Sequence, residues 1–138
     1  MNDQGLIRYV PHTLIAATVF EFMHIGDELA GNWAPVTLIL EPSIAAVSLG
    51  LFVVVPLLAL WMITSDRHWG YAISAAYSLF FFVTELWHVF DPAHMTAFRW
   101  AVVLFAQLFF LLCFLLSVRA LQQYRPWRGM GSSTGKTS

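Results

Sequence analysis

The sequence predicts an all-α integral membrane protein, a bundle of four transmembrane helices. Three observations predict it. Of 138 residues, 59% are hydrophobic and 11% charged, against about 45–50% and about 25% in an ordinary soluble domain. Mean hydropathy is +0.69. Uncharged runs reach the ~20 residues that a spanning helix needs, and no segment alternates cleanly enough to read as strands of a membrane barrel, which needs at least about eight. The same arithmetic excludes other classes. Disorder needs low hydrophobicity and high net charge, whereas the net charge is −1. A disulfide scaffold needs paired cysteines, and Cys113 is the only one. No dense basic run offers a nucleic-acid surface.

The helices are expected near residues 9–28, 43–64, 69–91 and 97–121, in one domain of residues 1–128. Residues 42–65 hold 24 positions without a charge and residues 100–118 hold 19, so the second and fourth spans are the plainest. Residues 9–26 are apolar except for His12, Glu21 and His24, and residues 69–90 except for Glu85 and His88. The first span has only Arg8 before it, holds Glu21 and His24, and has no small-residue cleavage site after it, so it reads as a retained helix, not a leader. Short links after the second and third spans make consecutive helices antiparallel. Pro56 should kink the second helix. Gly70, Ser74 and Ser78 recur every four residues on the third, a small-residue face suited to close packing. Residues 29–41 form the one long loop, a lid over the outer end or an early start of the second helix. The Gly/Ser/Thr-rich residues 129–138 read as a disordered cytoplasmic tail.

Lys and Arg set the orientation. Arg8, Arg67, Arg119, Arg125, Arg128 and Lys136 fall on the side of both termini, and Arg99 alone on the other. The expected location is therefore a cell membrane, multi-pass, with both termini cytoplasmic. Glu21, Asp27, Glu28, Glu41, Glu85, Asp91, His24, His88 and His94 gather toward the outer face.

Within that group a pattern repeats. Glu21-x-x-His24-x-x-Asp27 recurs as Glu85-x-x-His88-x-x-Asp91, with 64 residues between equivalent positions. Each copy ends an odd-numbered helix, so the copies run parallel and reach the same depth. The chain then reads as two hairpins related by a pseudo-two-fold axis along the membrane normal. At 100° per residue, positions i, i+3 and i+6 lie within about 120° of one another. Each helix can aim two carboxylates and an imidazole at one axis. Oxygen and nitrogen ligands suit iron, manganese or zinc. Acids near the bilayer are costly and tend to be functional, and a helix C-terminus disfavours them further. A bound cation resolves the crowding of like charges.

The paired Glu-x-x-His resembles the motif of ferritin-like di-iron carboxylate proteins, in which two helices carry that motif and two more give one Glu each. The resemblance implies a di-iron centre held by carboxylates and histidines. The sequence departs from it: the second helix offers only Glu41 before its start, and the fourth offers Gln107 and Arg99. Asp27 and Asp91 would stand in for the missing glutamates.

The expected metal ligands are Glu21, His24, Asp27, Glu85, His88 and Asp91, with Glu41 or His94 as additions and Glu21 and Glu85 as the catalytic pair. The expected cofactor is a divalent metal, iron before zinc or manganese. The leading function is a membrane metalloenzyme, an oxidoreductase acting on a lipid-soluble substrate from within the bilayer. Other readings stay open: metal or haem binding or transport without catalysis, haem being held by His24 and His88, metal-free acid/base isomerisation by Glu21 and Glu85, and a structural subunit of a larger complex or homo-oligomer. Arg99 pairing with Asp91 or Glu85 would lessen the need for a metal.

Overall fold

The computed structural model describes residues 3–30, 42–90 and 92–123, and these are helix and turn without a strand. The elements are α1 (Asp3–Ile7), α2 (Val10–Ala30), α3 (Pro42–Thr64), α4 (Trp69–Glu85), α5 (Trp87–Phe90), a 3₁₀ turn (Pro92–His94) and α6 (Ala97–Gln123). The four long helices fall where the apolar runs place them. Three details differ. The short α1 precedes the first of them, α2 and α6 each run two residues past their expected ends, so that residues 29 and 30 are helix and not loop, and the third expected span is interrupted at Leu86. Residues 31–41, with Glu41, the tail 129–138 and Asp91 lie outside the described residues.

α3 continues through Pro56. It stops at a turn in which Asp66 adopts φ 54°, while the Arg67 N–H reaches back to the Met62 carbonyl at 2.8 Å. A left-handed residue just past a helix closes off the last free carbonyls, and Asp is one of the few side chains that tolerate it. The chain reverses, and α4 begins so close to α3 that a Cβ on Gly70 would lie 2.7 Å from the Ile63 backbone nitrogen and 2.8 Å from the Ala59 carbonyl oxygen. The small-residue face thus does what its spacing predicts: Gly70, Ser74 and Ser78 are all buried.

α6 packs along both α2 and α4, and α4 also packs along α3, while α2 meets α3 and α4 over a smaller part of the described residues. The register is fixed by side chains. Phe20 of α2 stacks on Phe105 and Phe109 of α6 at 5.4 and 5.7 Å, and Phe81 of α4 stacks on Phe110 at 5.5 Å. Val10, Leu14, Ala17, Phe110, Cys113 and Ala120 are sealed from solvent between them.

The outward faces are as apolar as the interior. Leu51, Val54, Leu57 and Trp61 on α3, Phe80 and Val83 on α4, and Leu104, Leu108 and Leu115 on α6 are all exposed. A soluble monomer rarely shows a continuous apolar surface of this extent. Two stretches, Trp69–Phe90 and Ala97–Gln123, are long and apolar enough to cross a membrane, and Gly50–Thr64 is a shorter apolar helix.

Candidate metal centre

At one end of the helices the core turns polar. Glu21 and His24 of α2 are each 2% exposed, and Glu85 and His88, from the end of α4 and from α5, are 8% and 6% exposed. On α2 the placement follows from periodicity alone. Val10, Leu14, Ala17, Glu21 and His24 form one inward stripe at steps of three and four, so the acid and the imidazole occupy positions where a core side chain is expected.

On the other side the backbone departs from the α-helix. The Leu86 N–H bonds to the Val83 carbonyl at 3.2 Å, one residue short of its α-helical partner Phe82. The Val89 N–H does the same to Leu86 at 3.1 Å. In such a tightened, 3₁₀-like turn, residues three apart eclipse instead of being offset by 60°. The tightening on either side of Leu86 turns Glu85 and His88 toward one line, and both meet His24 of α2. The Phe82 carbonyl, released from Leu86, accepts a hydrogen bond from Gln107 Nε2 of α6 at 3.0 Å.

The result is a compact group. His24 Nε2 and His88 Nε2 lie 2.9 Å apart, with the rings nearly perpendicular, at 86°. Glu85 Oε2 is 3.5 Å from His24 Nε2 and 3.4 Å from His88 Nε2, so the carboxylate sits almost equally between the imidazoles. The three can offer an ion one ligand atom each, all within 4.8 Å of one another. Metal–nitrogen bonds of about 2.0–2.1 Å imply ligand–ligand edges of roughly 2.9 Å in an octahedral shell and roughly 3.4 Å in a tetrahedral one. The three separations span that interval. Without a cation the same contact needs one imidazole to donate from Nε2 and the other to accept. Glu21 lies one turn before His24 on the same buried face and interacts with Glu85. Two buried carboxyls this close need a shared proton or a cation between them.

Of the six expected ligands, the structure brings His24, Glu85 and His88 into one group, with Glu21 against it. Asp27 has a different partner: its Oδ2 accepts from Arg99 Nε of α6, with side chains 34% and 15% exposed. Arg99 is expected to pair with Asp91 or Glu85; among the described residues its ion pair is with Asp27, and Asp91 lies outside them. Glu41 also lies outside the described residues, as does the side chain of His94. Sequence reasoning missed Gln107, noted only for lacking a carboxylate. Its sole signal is a lone amide in an otherwise apolar run. Comparisons with protein-family models, with curated protein sequences and with solved structures return no match to this chain. What the fold and the site define is a helical protein with two helices apolar enough to span a membrane and a buried His/Glu group able to hold a metal ion.

Proposed function

We propose that the chain is a four-helix membrane protein whose His24, Glu85 and His88 hold a divalent metal ion, with Glu21 as a further ligand or proton partner. The observation that carries this reading is the buried convergence of two imidazole nitrogens and one carboxylate oxygen within 4.8 Å of one another. Supporting it, the outward faces of α3, α4 and α6 are apolar, and the fourth span has no charge over residues 100–118. By the distribution of Lys and Arg, both termini face the cytoplasm and the centre opens toward the outer side. Two imidazoles and one carboxylate form the ligand set typical of non-haem iron, with manganese or zinc as alternatives. Leu86, Trp87, Val89 and Phe90 expose large apolar side chains beside the group. They suit a lipid-soluble substrate, and the chemistry proposed for it is oxidation or hydroxylation.

The test is elemental analysis of protein extracted in detergent from alkali-washed membranes, beside the His24→Ala/His88→Ala variant. About one or two ions per chain, absent from the variant, is the expected result. Equal metal in both, or none in either, refutes the reading, and release of the protein by alkali refutes its membrane part. A second reading draws on the 2.9 Å Nε2–Nε2 contact, which also suits a hydrogen bond: a metal-free His–His–Glu relay that moves protons, for which metal-free protein in both samples would speak.

A further inference from the structure

We infer that Gln107 is a positioning residue for the centre: its amide holds the Phe82 carbonyl, and so maintains the tightened turn that aligns Glu85 with His88. As a statement about ligands this rests on the metal reading, but its effect on the backbone can be measured without any metal.

A regular α-helix through residues 82–90 would pair the Leu86 N–H with the Phe82 carbonyl. That bond is replaced by one to Val83 at 3.2 Å. The exchange leaves the Phe82 carbonyl oxygen needing a donor among packed helices, where neither water nor lipid supplies one. Gln107 Nε2 donates to it at 3.0 Å. Val103 and Ala106, the nearest inward residues of α6, carry no donor in their side chains. The turn and the amide are therefore coupled. Without the amide, the Phe82 carbonyl gains most by recovering the Leu86 N–H, which restores 3.6 residues per turn below His88. Relative to Glu85, His88 would then rotate by up to about 60°, and its Nε2 would leave the 2.9 Å contact with His24. The equivalent turn of α2 is regular, and Glu21 and His24 need no such support. Gln107 thus acts on one copy of the repeat only.

The experiment compares wild type with Gln107→Met, which keeps the length and removes the donor, and with Ser117→Ala, which removes a buried hydroxyl of the same helix far from the turn. Gln107→Leu serves where the Met variant does not fold. Two readouts are taken in lipid bilayers. With ¹⁵N-histidine labelling, metal-free wild type should give a nitrogen–nitrogen correlation between His24 and His88, lost in the Gln107 variants and kept in Ser117→Ala. Zinc affinity should fall about 10–100-fold in the Gln107 variants, the range for outer partners of metal ligands, with Ser117→Ala unchanged. Loss of the correlation in a protein that binds no metal upholds the positioning role and refutes the metal reading. A correlation that survives in Gln107→Met overturns the inference, whatever the affinity does.

Discussion

The two copies of Glu-x-x-His-x-x-Asp share a sequence pattern but not a local structure. In the first copy the helix is regular, Glu21 and His24 continue the inward stripe of α2, and Asp27 is tied to Arg99. In the second the helix tightens at Leu86, and Glu85 and His88 turn toward one line with Gln107 holding the displaced carbonyl. The difference teaches that spacing decides which side chains can share a face, while the neighbouring helix decides what they do there. Among the described residues α6 supplies Arg99 to the first copy and Gln107 to the second, so the two are held by different means.

Four substitutions test how far this asymmetry reaches. The largest effect is expected at Glu85, whose Oε2 is 3.4–3.5 Å from both imidazoles. Glu85→Gln should weaken metal binding by more than about 100-fold, beyond what outer partners cost, as read by competition with a chelator. Its counterpart Glu21→Gln should cost roughly 10-fold, since Glu21 contacts the group through Glu85. Equal losses would show the two copies to be equivalent. Gly70→Ala lies outside both copies and should act on stability alone. A Cβ 2.7 Å from the Ile63 nitrogen puts overpacking at the upper end of about 1–3 kcal/mol, more than the roughly 1 kcal/mol of helix propensity it returns. A lower unfolding temperature with unaltered metal content is the expected outcome. Smallest is Asp27→Asn: the Arg99 pair is partly exposed, so about 1 kcal/mol of stability or less is at stake, with metal affinity unchanged within about threefold. A large loss of affinity would instead make Asp27 a ligand.

Most of the fold is legible in the sequence because in this chain charge is scarce enough to mark every helix end. Asp66 and Arg67 mark the α3–α4 turn, and Gly70, Ser74 and Ser78 announce the buried face of α4. The convergence of His24, Glu85 and His88 is legible for the same kind of reason: i, i+3 spacing at equal depth on parallel helices. The break at Leu86 is not. Val83 to Phe90 contains no glycine or proline, and the turn exists because a partner 25 residues away takes up the Phe82 carbonyl. Nor is the Asp27–Arg99 pair, whose members are 72 residues apart. Before the helices are packed, Arg99 has several acids of equal standing to choose from.

The central claim is that two imidazoles and a carboxylate from opposite copies hold one ion. X-ray absorption at the edge of the metal found in the membrane-extracted protein tests it most directly. The account predicts a first shell of nitrogen and oxygen at about 2.0–2.2 Å, with the outer-shell scattering of two imidazoles that disappears in His24→Ala/His88→Ala. A first shell containing sulfur, one without imidazole scattering, or protein that carries no ion to measure would contradict it.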